Sequence, residues 1–451
     1  VTPGGTGLEA AVGSPSGDTS WCLHRRHPRV ELGPRDAERL WRWVTWEETP
    51  LFPEPGRTAW MPLSEPVAHP TVDGLVLSAA KVKGIGVSSG EDEPPTPVDG
   101  EREYLAARDQ PHFGLDPDGN YIEVFSRSAP LGGMVLARAV QEYENADRLL
   151  RASVPAVVPL AVFRDEQCFR GEPLAVAVTL STEPAPFRSN SLIAARDAIR
   201  SREERDYRVD SERTLGLDAS LSSPDGLTAG FTTIATAVGS AIRAMAEAGL
   251  YRHSSGMWNF QYCRARQRLL LIDLDSSRQL AEVDYERRGL EILRDVASAV
   301  HKVVEGIFMH PQFLRDAGLV RLTEADPVLA LLRSYFPDVP ARQVGRAAAL
   351  TWAYVIPIAI AQDRRRREAG ANWTRDKREM HRVDKWTLYA LAMMVCQPLL
   401  EASRLSEVGL ASRGQVSLRC ALPLVGDGAV FLRWAETQID STSGRRGASV
   451  K

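Results

Sequence analysis

Leu250-Tyr-Arg-His-Ser-Ser-Gly-Met-Trp-Asn259, followed by Leu269-Leu-Leu-Ile-Asp-Leu-Asp275, is the stretch on which the fold turns. An Asn closes a loop, a short strand leaves it, and a hydrophobic strand returns carrying an acidic residue. Asn259 and Asp273 are fourteen residues apart, and Arg264-Ala-Arg-Gln-Arg268 supplies a turn between the strands. An amide oxygen and a carboxylate so delivered are hard ligands suited to Mg²⁺, which completes its shell with waters and phosphate oxygens. Asp275 reads equally as a further metal ligand or as a structural acceptor for Arg278.

The chain of 451 residues is too long for one simple core, so two or more lobes are expected. Hydrophobic residues at 44% and charged residues at 25% describe an ordinary soluble globular protein. A net charge of −3 gives no global electrostatic case for nucleic acid or membrane surfaces. From five scattered cysteines without a C-x-x-C spacing neither a disulfide framework nor a thiolate zinc site follows, and a reducing cytoplasm is the default expectation. The Gly/Ser/Pro-rich start lacks the apolar core of a secretory signal. The longest apolar run, Ala347 to Ala361 with Pro357 inside it, is shorter than the roughly 20 residues a membrane span needs and reads as a kinked, buried helix. Ala richness, Arg favoured over Lys and the initial Val suggest a high-GC bacterial source.

Residues 1–27 and 441–451 are expected to lack structure. Residues 28–181 read mostly as strands, including Leu75–Lys83, Tyr121–Phe125, Val154–Phe163 and Pro173–Leu180, with a convincing helix from about Met134 to Leu150. That helix places Glu142 and Asn145 near one face. Thr182-Glu-Pro-Ala-Pro-Phe187 is a Pro-rich break and the candidate hinge. Beyond it, over 182–440, the long elements are helical: about 226–248, 284–309, 340–367 and 381–404. Arg364–Arg367 closes a helix and reads as a solvated end, or as a docking patch for an anionic macromolecule.

Protein kinases hold their metal ions with a catalytic-loop Asn and the Asp of the following strand. They also need a Lys against the phosphates, aimed by a helix Glu. Lys83, at the end of a strand and before Gly84-Ile-Gly86, is the preferred cation; Lys81 points to the same strand face, and the choice between them is open. Glu142 is the natural partner, with Glu144 its neighbour. Arg127 and Arg138 lie close enough in sequence to the phosphate-binding elements to reach anionic oxygens. Thr182, opening the hinge, joins Lys81, Lys83, Gly84, Gly86, Arg127 and Arg138 in the candidate cofactor-binding set. His253 serves to hold its loop or as a replacement base. Lysines, glutamates and arginines at such places are commonly solvated surface, and Asn and Asp favour turns for local reasons. The order of the parts argues otherwise: Lys strand, Glu helix, two strands, hinge, His-containing loop, Asn, Asp.

The expectation is an α+β, two-lobed protein-kinase-like fold with a strand-rich N-lobe and a mostly helical C-lobe. Lys81-Val-Lys-Gly-Ile-Gly86, Leu136-Ala-Arg-Ala-Val-Gln-Glu-Tyr143 and Val154-Pro-Ala-Val-Val-Pro-Leu160 resemble the N-lobe of the selenoprotein-O-like (SelO) atypical kinases. There a K-G-x-G element precedes a helix bearing R-E-[FY], and a G-[IV]-P turn introduces the next strand. His253 to Asp275 is similar to aminoglycoside phosphotransferases, whose H-G-D-x-x-x-x-N loop precedes an I-D strand end. Together the resemblances cover roughly 75–165 and 245–280, about a third of the chain. In both ordinary kinases and aminoglycoside kinases an Asp stands five residues before the metal-binding Asn; here that position is Ser254, a poor acceptor for a substrate proton. The SelO resemblance implies AMP transfer from a reversed nucleotide.

The expected function is therefore Mg²⁺/ATP-dependent transfer of the γ-phosphoryl group to a hydroxyl, with AMP transfer and a non-catalytic nucleotide-binding pseudokinase as alternatives. In it Lys83 binds phosphates, Glu142 orients it, and Asn259, Asp273 and Asp275 are the metal-ligand candidates. The acceptor class stays open between small molecule, protein and tRNA, as does the oligomeric state; no membrane partner is expected.

Overall fold

The computed structural model describes residues 7–12, 20–53, 55–89, 93–104, 112–115, 121–124, 129–183, 223–252, 260–263, 268–309, 325–370, 372 and 374–416. The chain is mixed α and β and divides into two compact units. One gathers residues 1–111, 125–187 and 261–277 around a sheet; the other gathers 112–124, 188–260 and 278–451 and is mainly helical.

The first unit opens with a short helix α1 (Gly7–Val12), strand β1 (Cys22–Arg26) and helix α2 (Pro34–Val44). The start expected to be featureless thus supplies an edge strand, because Cys22–Arg26 pairs with the strand β10 defined below. α2 is an eleven-residue helix in a region read mainly as strands. Its amphipathic face buries Leu40, Trp41, Trp43 and Val44. Next come β2 (Gly56–Ala68), β3 (Val76–Ser88), the two-residue β4 (Thr96–Pro97) and β5 (Asp99–Tyr104). A hairpin of β6 (His112–Leu115) and β7 (Tyr121–Val124) groups with the second unit. β8 (Ala129–Leu131) and β9 (Met134–Val135) lead into helix α3 (Leu136–Arg151). β10 (Val158–Phe169) and β11 (Glu172–Ser181) follow.

The main sheet runs β1-β10-β11-β3-β2, antiparallel throughout, with β4 added to β3 and β9 to β11. β2 ends the path, which suits its Pro62 and Pro66. Register places Lys81 opposite Thr179 and Trp60, and Lys83 opposite Ala177 and Thr58. Because side chains alternate along a strand, Val82 and Ala80 pack with Val158, Val176 and Leu180 in the main core. The two lysines then share the opposite face.

α3 forms because sixteen residues pass without Gly or Pro, with Arg148 and Arg151 in the last turn to complement the helix dipole. It stops where Ser153 takes a left-handed φ of 56°, and the Ser153 and Val154 N–H groups donate back to Leu150 and Leu149 carbonyls. Its buried face carries Ala139, Glu142, Tyr143, Asn145, Ala146 and Leu149, at helical spacing.

The second unit contains α4 (Pro224–Glu247), β12 (Leu250–Arg252), α5 (Tyr285–Met309), α6 (Pro327–Tyr335), α7 (Ala341–Leu350), α8 (Ile356–Glu368) and α9 (Arg375–Ala402). α4 packs on α6, and α5 on α9. Leu290, Leu293, Val296, Val300 and Val303 of α5 are buried as their spacing predicts. Between α7 and α8 a π-turn spans Thr351–Val355. Pro357 explains it: the ring cannot sit against the carbonyl four residues back, so the helix widens. The helical stretch 341–368 is long and apolar enough to cross a membrane by length and composition alone. Only 39% of its most apolar part is buried, less than its sequence suggests.

Candidate functional site

Two further strands complete the sheet unit's site: β13 (Phe260–Cys263) pairs with β14 (Arg268–Leu271), and the chain then turns at Asp273. β14 is anchored by reciprocal backbone bonds, the Leu271 N–H to Pro155 O and the Val157 N–H to Leu271 O. This delivers Asp273 and Asp275 to the lysine-bearing face of β3.

There, residues far apart in sequence meet. Lys81 Nζ lies 3.2 Å from Glu142 Oε1 and 2.6 Å from Asp273 Oδ1. Lys83 Nζ lies 2.8 Å from Glu142 Oε2, 2.7 Å from Asp275 Oδ1 and 3.3 Å from Asp273 Oδ1. Asp275 Oδ2 also takes Arg138 at 3.3 Å and Arg57 at 3.5 Å. Glu142 therefore aims both lysines, one with each oxygen. A buried ammonium is strongly disfavoured unless paired, and this mutual pairing is what allows two lysines on one strand face to be buried together. Among the described residues, Lys81, Lys83, Arg57 and Arg138 face Glu142, Asp273 and Asp275 in this cluster.

Electrostatics follow geometry. Burial works against the Lys83 ammonium, yet Asp273, Asp275 and Glu142 together raise its pKa above the ordinary lysine value. Burial also works against the Asp275 carboxylate, and Lys83, Arg57 and Arg138 overcome it, holding the group well below the usual carboxylate range.

The acidic turn is fixed by one face of α3. Asn145 Nδ2 donates to Leu274 O at 2.9 Å and Ser277 O at 3.1 Å, and Gln141 Nε2 donates to Ser277 O at 2.5 Å. Arg138, Gln141, Glu142 and Asn145 recur at helical spacing, so one helix face serves the whole turn. Asp273 itself is left-handed (φ 56°, ψ 55°), a conformation Asp tolerates better than most residues, and it starts a 3₁₀ turn.

Gly84 and Gly86 are buried, with positive φ of 87° and 154°. A Cβ on Gly84 would meet Met134 and Ala175 O; one on Gly86 would meet the Trp46 ring and Thr96 O. Trp46 Nε1 donates to Ile85 O at 2.5 Å, and Gly86 N–H donates to Gly132 O at 3.0 Å. Protein atoms thus pack where a Cβ on either glycine would lie, and the glycines bend and seat the end of the lysine strand. Thr182, at the end of β11, accepts a hydrogen bond on its carbonyl from Ser78 Oγ at 2.6 Å. Arg127, His253 and Asn259 lie outside the described residues, as does Ser254.

No group of three or more His, Cys, Asp or Glu suited to a metal occurs among the described residues. Of the three site carboxylates Asp273 reaches solvent most, its side chain 21% exposed against 6% for Asp275 and 1% for Glu142. Mg²⁺ is commonly held by one or two carboxylates plus substrate phosphates. The donor set fits a magnesium–nucleotide complex rather than a metal cage.

Of the residues singled out in the sequence, the structure brings together Lys81, Lys83, Glu142, Asp273, Asp275 and Arg138, and it adds Arg57 and Gln141, which the sequence reading did not name. Gln141 shares the α3 face and could have been found by its spacing from Arg138 and Asn145. Arg57 carries no local signal, since only sheet pairing brings β2 beside β3. In the helical unit, Asp295 Oδ2 accepts the Arg252 N–H at 2.8 Å, and Arg294 donates to Arg252 O at 2.6 Å. Both α5 side chains grip the last described residue before the His253 loop. Arg366 pairs with Asp384 at 2.8 Å and Arg367 with Asp363 at 2.7 Å, so part of the arginine run is internally neutralised.

No protein-family model and no curated protein matches the chain. Among solved structures it is similar to a WaaP in complex with acyl carrier protein, at 18% identity over 54% of this chain and 86% of that one, with a TM-score of 0.29. It is also similar to a mutant of the Neurospora crassa PAN3 pseudokinase (13% identity, 84% and 81% covered, TM-score 0.26). A glucosamine kinase in complex with glucosamine, ADP and inorganic phosphate follows (14% identity, 70% and 93% covered, TM-score 0.18). At these TM-scores the likenesses carry no weight, and the functional reading rests on the site.

Proposed function

We propose that the protein is a kinase-like, Mg²⁺/ATP-dependent phosphotransferase whose sheet unit is the nucleotide-binding lobe of a two-lobed kinase-like fold. One observation carries this reading: β3 lysines, an α3 glutamate and the Asp273 that ends the β13–β14 hairpin converge in one buried cluster, across 59 to 192 residues of sequence. Phosphoryl transfer requires little covalent chemistry from a protein. It needs positioned cations against the phosphates and a carboxylate for the metal. An ammonium of the Lys81/Lys83 pair meets the phosphates, Glu142 aims it, and Asp273 together with Asn259 holds Mg²⁺. The metal supplies neutralisation of charge on the transferred group. The site works in a reducing cytoplasm, where Cys22, Cys168 and Cys396 stay free thiols.

AMP transfer is the second reading, favoured by Ser254 standing where a proton-accepting Asp is usual. The acceptor, a small molecule, a protein hydroxyl or a tRNA, is recognised by surfaces other than this cluster. Incubation with Mg²⁺ and either α-³²P-ATP or γ-³²P-ATP separates the readings, with Asp273→Ala as control. Label transferred from γ-³²P-ATP alone, and lost in the variant, is the expected result. Label from α alone establishes AMP transfer. Absence of both label and ATP-induced thermal stabilisation in the wild type overturns the enzyme reading.

A further inference from the structure

By strand alternation alone Arg57 does not belong at the site. Thr58 stands opposite Lys83 and Trp60 opposite Lys81, so these positions of β2 share the lysine face, while Ala59 and Met61 pack in the main core. Arg57 falls in line with Ala59 and Met61. The ladder breaks at that point, since the β3 partner jumps from Lys83 to Ser88 as β2 passes from Thr58 to Gly56. Such a break re-aims a side chain. Arg57 Nη1 donates to Gly133 O at 2.9 Å, and Nη2 lies 3.5 Å from Asp275 Oδ2. Arg138 comes to the same carboxylate oxygen at 3.3 Å, from the first turn of α3. That turn is the positive end of the helix dipole, where a cation is disfavoured unless an anion stands by. The two arginine side chains are 19% and 24% exposed, against 1% for Lys81 and 6% for Lys83.

We infer that Arg57 and Arg138 form a guanidinium clamp for the polyphosphate of the nucleotide, on the solvent side of the two lysines. The inference rests on the phosphotransferase reading above and adds two phosphate-binding residues to it. A guanidinium is permanently charged and planar, and its five N–H donors form a fork that matches phosphate oxygens in pairs. One edge of the fork can stay on Asp275 while another meets phosphate. Both arginine contacts to Asp275 are longer than the 2.7 Å between Lys83 Nζ and its other oxygen, and longer than the roughly 2.7–2.9 Å of a tight charged hydrogen bond. Like charges repel, so the shared carboxylate oxygen is what keeps the two guanidinium groups side by side. A phosphate placed between them adds the same attraction from the solvent side.

The test uses the full chain with Mg²⁺ and two probes, ATP and inorganic tripolyphosphate, and reads their dissociation constants by titration calorimetry. Arg57→Gln and Arg138→Gln should each weaken both probes by about 10- to 100-fold, the worth of a charged hydrogen bond. Each should also flatten the salt dependence of binding. A merely structural role would lower the melting temperature and leave both constants and the salt slope unchanged; that result in either variant overturns the clamp. Weakening of ATP alone, with tripolyphosphate unchanged, puts the arginines on the base or ribose and overturns it as well. Each variant leaves Asp275 with Lys83 at 2.7 Å and with the other arginine, so should one fail to fold, the other decides. A wild type that binds neither probe removes the phosphotransferase reading and the clamp with it. A wild type that binds both, beside variants that bind equally well, removes the clamp alone.

Discussion

Asp275 in the sheet unit and Asp295 in the helical unit are equally buried, each 4% exposed, yet their acidities move in opposite directions. Burial opposes ionisation at both. At Asp275 three cations at 2.7 to 3.5 Å outweigh it, and the group stays well below the usual carboxylate range. At Asp295 burial prevails over Arg294 at 3.6 Å and the Arg252 N–H, Glu291 adds like charge, and the pKa rises to about 7. Depth alone therefore does not set the charge state of a buried acid; the number and closeness of its cations do. In the sheet unit the surrounding cations keep Asp275 ionised. The helical unit uses its buried carboxyl to hold backbone.

The strongest way to break this contrast is to remove the carboxylate both lysines share. Glu142→Ala leaves two buried ammonium groups under-paired and should cost about 3–5 kcal/mol of stability, the usual penalty for breaking a buried pair from one side. Urea denaturation together with hydrogen exchange at β3 amides measures it. Retention of wild-type stability would show that the cluster is solvated and that the ion-pair account of the sheet unit is wrong.

Acidity sharpens the contrast next. Asp275 has a folded pKa below its unfolded value, so its contribution to stability is present above about pH 4 and is lost as pH falls. Asp295 has a folded pKa raised to about 7. Its contribution is complete below about pH 4 and is lost as pH rises through about 7. His301 on α5 and the nearby His381 have depressed folded pKa values and add stability as pH rises, so the Asp295 effect is read as a difference: between pH 5 and 8, α5 exchange protection in the wild type should lose on the order of 2 kcal/mol relative to Asp295→Asn. Asp295→Asn still offers an acceptor to the Arg252 N–H and leaves the histidine contributions to the α5 slope in place. Parallel α5 profiles in wild type and variant contradict the raised pKa.

A smaller effect is expected where the turn is held by neutral hydrogen bonds. Asn145→Ala strips donors from the Leu274 and Ser277 carbonyls and should destabilise by about 1–2 kcal/mol. Thermal denaturation reads it, and a change within error would mean that water replaces the amide at no cost.

Much of the fold was legible in the chain. Leu136–Arg151 is an uninterrupted run of helix formers, and Val158–Phe169 and Glu172–Ser181 alternate or run apolar as buried strands do. α2 was harder to read, because its aromatic-rich stretch satisfies strand propensity as well as helix periodicity. β1 follows a Gly/Ser/Pro-rich start and carries three basic residues among five, so its pairing with β10 is a tertiary preference that its own composition does not announce. At the site, Lys81 and Lys83 could be placed on one strand face from their two-residue spacing, and Glu142 with Asn145 on one helix face from theirs.

What the sequence determined by itself is thus a set of local commitments: which residues alternate, which recur at helical spacing, and which oxygen and nitrogen ligands sit at strand ends. Periodicity and propensity act over a few residues, and these local choices need nothing more. Tertiary structure alone decided that Glu142 engages both lysines, that Arg57 joins Asp275, and that Trp46 and Met134 occupy the faces of Gly86 and Gly84. Those contacts join distant segments, as do the Lys81–Asp273 and Lys83–Asp275 pairs, each 192 residues apart. Their strength depends on distance and burial, quantities that exist only once the sheet has closed around them.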